Sequence, residues 1–250
     1  GSLCRIYAPV GSHQNLLAYL VRRLLENGAN SSFVNQLVDE EITPEMIAAD
    51  PVNKAVAHGA TARSPFIPLP KAIFDGRTNS KGLDITDPIE ISKLETDARE
   101  FQTTQWHWGD GGEPVINPAR HKDQVGPVRM ASGDDVSPTI VRAQEAFREW
   151  DDRGAVERAT VLEKAADLYE ANTPELLTIL CREAGKTLLD GVGEIREAVD
   201  FLRYYAAEAG SKSSLEEVKG QGVFACISPW NFPLAIFTGQ IAAALAAGNT

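Results

Sequence analysis

The sequence has 250 residues, 43% hydrophobic and 24% charged, a balance that allows a sizeable buried core and excludes disorder throughout. A net charge of −11 excludes a nucleic-acid or anionic-membrane surface in this stretch, because phosphate binding needs clustered Lys and Arg. The odd set Cys4, Cys181 and Cys226 is poor material for a disulfide framework and suits a reducing compartment.

Residues 1–48 read as a strand followed by a helix. Arg5 to Val10 is a short extended run, Gly11 turns the chain, and Ser12 is placed to cap a helix. That helix carries Leu16, Leu17, Leu20, Val21, Leu24 and Leu25 as an apolar stripe, and Asn27-Gly28 predicts a left-handed stop. Tyr19, Arg22, Arg23 and Glu26 follow i, i+3, i+4, i+7 spacing and share the opposite, polar face. Two arginines beside a tyrosine can fork a substrate carboxylate, and equally they can be a solvated face near the negative end of the helix dipole.

Residues 49–130 are rich in Pro and Gly, as in Ser64-Pro65-Phe66-Ile67-Pro68-Leu69-Pro70, and predict an irregular connector between domains. From 131 onward the chain predicts helices beginning at Ser137-Pro138, and then over Glu157–Glu170, Thr173–Gly185 and Leu188–Ala209. Gly185-Lys186-Thr187 imitates the end of a phosphate-binding loop, but Leu180 stands where its first Gly belongs, so the segment reads as a helix end. Gly222 opens a β run over 223–227, and a helix from Pro233 ends at Gly248. The helix contains Gln240 and is too short for a membrane span, and the first residues predict no signal peptide. His13, His58, His107 and His121 lack metal-site spacing.

An apolar strand, a tight loop and a helix form the building block of a parallel dinucleotide-binding sheet, with ligands at the strand's carboxyl end. Here that edge holds no GxGxxG but Ile227-Ser228-Pro229-Trp230-Asn231-Phe232-Pro233. Asn231 could cap the following helix; the full setting Ser228–Pro233 favours a chemical role. The run resembles the signature of the aldehyde dehydrogenase family, as do Arg182–Thr187 and Phe201–Tyr205. The resemblance implies that Ile227, Ser228, Pro229, Trp230 and Asn231 line the nicotinamide end of NAD. It also implies that the Asn231 amide donates to the oxyanion of a cysteine thiohemiacetal. Such a neutral donor stabilises developing charge by about 2.7–4 kcal/mol. The family's nucleophilic Cys and general-base Glu lie downstream of this loop, and no segment here matches their motifs. Cys181 and Cys226 sit in apolar elements and read as inert.

The first segment, Arg5–Gly11 with Tyr19–Asn30, resembles the last strand and helix of the proline dehydrogenase (β/α)₈ barrel. That resemblance implies a carboxylate site at Arg22 and Arg23, a pocket lined by Tyr7 and Tyr19, and Glu26 near FAD. Both motifs in this order resemble the family of bifunctional proline utilization A enzymes. The implied α/β chain is the end of a barrel at 1–48, a connector at 49–130 and the first part of a Rossmann-like NAD-binding domain at 131–250. The implied activity is proline oxidation with FAD, then NAD-dependent oxidation of glutamate semialdehyde to glutamate with the intermediate channelled, this piece being inactive alone. The family implies a cytoplasmic homo-oligomer passing electrons to quinone at the inner membrane face, and DNA binding only with a further N-terminal domain. A non-catalytic NAD-binding or scaffolding module, and a single-function aldehyde dehydrogenase with an N-terminal extension, are the alternatives.

Overall fold

A computed structural model describes residues 9–28, 32–57, 59, 66–107, 109–211 and 219–250. It divides into two compact units, Gly1–Ile67 and Pro68–Thr250.

The first unit contains α1 (His13–Gly28), α2 (Phe33–Val38), α3 (Pro44–Ile47) and α4 (Pro51–Ala57). The carbonyl of Ser12 accepts the N–H of Leu16 at 3.0 Å, and the hydroxyls of Ser32 and Thr43 accept from Asn35 and Met46 to start α2 and α3. Gly28 is the last residue of α1 and keeps a helical φ, so the expected left-handed stop is not formed there. Of the expected strand, residues 5–8 lie outside the described residues, and Pro9 and Val10 belong to no strand. Of the apolar stripe of α1, Leu16 is half-buried while Leu17, Leu20, Val21, Leu24 and Leu25 are exposed, Leu24 at 72%.

The second unit is built around α9 (Leu188–Ser211), which packs against α7 (Ala155–Ala171), α8 (Thr173–Arg182) and α10 (Ala235–Ala246). Leu162, Ala166, Ile195, Val199, Leu202 and Ala242 form its centre, and burying such side chains contributes about 1.5–3 kcal/mol each for the larger ones. Gly239 is required by the close approach of α9 and α10, because a Cβ there would stand 2.9 Å from the Phe201 ring. Gly248 adopts φ +88° and ends the α10 region as expected.

The stretch 49–130 has more structure than its composition suggests. α5 (Pro88–Asp97) starts with the Asp87 carboxylate accepting from Ile89 N–H at 2.8 Å and sends Leu94 into the core. β1 (Glu113–Ile116) and β2 (Gln124–Val128) pair antiparallel in the register Glu113↔Val128, with an irregularity between Val115 and Ile116. Residues 68–130 belong to the second unit.

Two expected elements differ. The helix expected from Ser137-Pro138 is α6 (Gly133–Asp152) and begins earlier, because the Asp135 carboxylate accepts from both the Ser132 N–H (2.7 Å) and hydroxyl (2.8 Å). Pro138 then falls inside the helix. The run 223–227 belongs to no strand or sheet among the described residues. A ladder needs a neighbour, and among the described residues the backbone bonds of this run go to Thr250. Phe224 N–H donates to the Thr250 carbonyl (2.8 Å) and Thr250 N–H to that of Gly222 (3.1 Å), the pattern of a parallel pair.

Candidate functional site

Residues 228–234 leave the carboxyl end of the run 223–227 and enter α10. The loop is displayed: Ile227 is 84% and Trp230 88% exposed. Asn231 is exposed too, and its side-chain amide engages no group among the described residues. It does not cap α10.

The cap comes from elsewhere. α10 has Leu234 at its N-cap, without a side-chain bond, and no acid in its first turn. Orphan N–H groups at a helix start need acceptors. Glu194 of α9 supplies one: its Oε2 accepts from Ala235 N–H at 2.8 Å and Leu234 N–H at 3.3 Å. The Glu194 side chain is 1% exposed, and Lys186 Nζ neutralises it at 2.8 Å from Oε1. The same ammonium lies 4.6 Å from the centre of the Phe232 ring. On the other arm, Gln240 Nε2 donates to the Ile227 carbonyl at 2.9 Å.

Sequence reasoning did not single out Glu194 or Gln240. A signal for the first was available: a helix that opens on Leu234-Ala235, with no polar cap of its own, needs one from another element. Lys186 was read as part of a helix end and of the Arg182–Thr187 resemblance, with no role of its own. The helix end holds, since α8 stops at Arg182, Gly185 takes φ +65°, and the Thr187 hydroxyl accepts from Asp190 N–H at 3.2 Å.

In the first unit, Arg22 and Arg23 are exposed on α1 and Tyr19 is half-buried. Arg22 Nε donates to the Ala18 carbonyl at 3.3 Å, and the Arg23 guanidinium lies 5.5 Å from the Tyr19 ring centre. These three share a face as the spacing required. Tyr7 lies outside the described residues, as does the side chain of Glu26.

Burial pushes the Cys181 thiol above its usual range, which suppresses the thiolate a nucleophile needs. Cys226 is half-buried beside the loop, and Cys4 lies outside the described residues. Among the described residues no group of three His, Cys, Asp or Glu could hold a metal, and no helix is long and apolar enough to cross a membrane.

Comparison with known proteins gives two matches in this order. The family model described as proline dehydrogenase matches residues 1–36, and that of the aldehyde dehydrogenase family matches 107–250. The bifunctional protein PutA of Klebsiella aerogenes is 47% identical over 99% of this chain and 20% of its own length. A crystal structure of Bradyrhizobium japonicum proline utilization A superposes with TM-score 0.71 at 38% identity, over 98% of this chain and 24% of that one. The 1-pyrroline-5-carboxylate dehydrogenase from Thermus with bound NAD gives TM-score 0.62 at 26% identity, over 71% of this chain and 39% of that one. The chain thus spans about a fifth of the curated relatives it matches. By the match over residues 107–250 the chain belongs to the aldehyde dehydrogenase family, in the α/β arrangement where the end of a proline dehydrogenase region precedes it.

Proposed function

We propose that this chain spans the junction of a two-step enzyme that oxidises proline and then glutamate semialdehyde to glutamate. The observation that carries the reading is the Asn231 amide, exposed and unbonded among the described residues, on a loop held at both ends. When bound, FAD supplies the oxidant for proline and NAD the hydride acceptor for the semialdehyde.

The residues present fit an NAD edge. Ile227 and Trp230 offer exposed surface at the carboxyl end of a parallel-paired run, where dinucleotides sit in such folds. In this account Ile227, Ser228, Pro229 and Trp230 line the nicotinamide end. The Asn231 Nδ2–H group donates to the substrate oxygen as negative charge gathers there, and its neutrality leaves the product free to depart. The attacking thiolate and the general base are supplied from outside this chain.

For proline, Arg22 and Arg23 bind the carboxylate, a geometry that guanidinium forks suit, and the stacked Tyr19 lines the pocket. Tyr7 completes that pocket and Glu26 stands near FAD; both assignments rest on the resemblance. The same resemblance supports a cytoplasmic homo-oligomer, transfer of the intermediate within the protein, and electron delivery to quinone at the inner membrane face. The net charge of −11 supports leaving DNA binding to a separate N-terminal domain.

The test is Asn231→Ala in the full-length protein. NAD-dependent semialdehyde oxidation should fall by about 10²–10³-fold in kcat, while proline-dependent quinone reduction continues. Unchanged semialdehyde oxidation would remove Asn231 from the chemistry.

A further inference from the structure

Resting on the reading of Asn231 as oxyanion donor, we infer that Glu194 and Lys186 are positioning residues that set the aim of the Asn231 amide. Among the described residues the loop has no backbone ladder to fix it. Its two ends are held by side chains: Gln240 on the Ile227 carbonyl, and Glu194 on the Leu234 and Ala235 N–H groups. Asn231 lies between these anchors.

Glu194 is more than a helix cap. A local Asp, Ser or Thr at position 234 would satisfy the same N–H groups with little burial. Here the carboxylate comes from α9 and is 1% exposed, so it demands a cation, and Lys186 answers at 2.8 Å. That cation also rests on Phe232, the neighbour of Asn231, at 4.6 Å. One ion pair therefore grips the loop on both sides of Pro233. The carboxylate fixes where the backbone enters α10, and the ammonium fixes the ring beside the amide. A shift of either moves Asn231 relative to the substrate oxygen, and a misplacement on the order of 1 Å can cost about 100-fold in rate.

The experiment is a double-mutant cycle in the full-length protein, with proline-dependent quinone reduction as internal control. Glu194→Gln keeps an acceptor for Ala235 N–H and removes the charge; Lys186→Met keeps the chain over Phe232 and removes the cation. Each should lower kcat for semialdehyde oxidation by about tenfold with the control activity retained, and Lys186→Arg should recover most of the loss. In an Asn231→Ala background, Glu194→Gln should add less than about twofold, because residues acting through one another are not additive. If Glu194→Gln does not fold, the Lys186→Met, Lys186→Arg and Asn231→Ala cycle gives the same readout. A full, additive loss in the Asn231→Ala background would overturn the inference and leave only a structural cap. So would normal kcat in Glu194→Gln beside an impaired Asn231→Ala. A normal Asn231→Ala enzyme would instead overturn the functional reading itself, and the inference with it.

Discussion

Arg182 and Asp123 meet through two hydrogen bonds, Nη2 to Oδ1 at 2.7 Å and Nε to Oδ2 at 3.1 Å. The remaining Nη1 donates to the carbonyls of Phe101 (2.8 Å) and Thr104 (2.7 Å), and the guanidinium lies 5.2 Å from the Trp106 ring centre. One nearly buried side chain thereby fastens β2's entry and the 101–106 segment to the end of α8. Lys186, which reaches the Asn231 loop, follows in sequence four residues later.

Removing Arg182 leaves Asp123 with the Asn117 amide but no cation, and takes the side-chain donor from the Phe101 and Thr104 carbonyls. Arg182→Ala should destabilise this unit by about 3 kcal/mol, the scale for breaking a buried pair by deleting one partner. Arg182→Lys should recover little, since a single ammonium cannot reproduce the fork. Denaturant unfolding of the full-length variants, followed by a probe in this unit, reads the difference; equal stability of Lys and wild type would contradict it.

The pair also sets an acid limit. Hydrogen bonds from Arg182, with a second from Asn117, hold the Asp123 carboxyl down at about 2. Its folded value is depressed below the unfolded one of about 3.9, so its stabilisation is complete above that value and is lost as pH falls toward 2. Asp123→Asn should flatten the fall in thermal midpoint between about pH 4 and pH 2. An unchanged acid slope would mean that other carboxylates carry it.

On α1, the account places proline's carboxylate at Arg22 and Arg23. Arg23→Ala or Arg22→Ala should lower kcat/KM for proline by about 10–100-fold, the worth of a hydrogen bond to a charged group, and leave semialdehyde oxidation unchanged. Steady-state assays of both half-reactions check this. Loss of both activities would point to damage to the fold.

Cys181 is a core residue in this account. Its raised thiol value predicts slow alkylation at pH 8 in the native protein and turnover by Cys181→Ala close to wild type. Fast native labelling at Cys181, read by peptide mass, would contradict its burial.

The helices were legible because their signals are local. The stripe from Leu16 to Leu25, Pro174 in the first turn of α8 and Gly248 after α10 need only neighbours a turn away. The Asn231 loop was legible because the residues of its motif, 228–233, are contiguous. Glu194 was not, since its partners Leu234 and Ala235 lie in another helix and its spacing carries no trace of them. The run 223–227 shows the opposite limit: its composition is that of a strand, but strands are completed by neighbours, and among the described residues its backbone bonds go to Thr250. The start of α6 was misplaced because Pro138 is a strong helix-start signal, and the Ser132–Asp135 pair won by satisfying the first turn sooner.

The most direct measurement gives the purified full-length protein L-proline, a quinone and NAD, with no added semialdehyde, and follows NADH and glutamate together. The account predicts that both accumulate in equal amounts, that Arg23→Ala suppresses them by blocking the first step, and that Asn231→Ala suppresses them while quinone reduction continues. Quinone reduction by wild-type protein with no NADH, or NADH formed undiminished by Asn231→Ala, would contradict it.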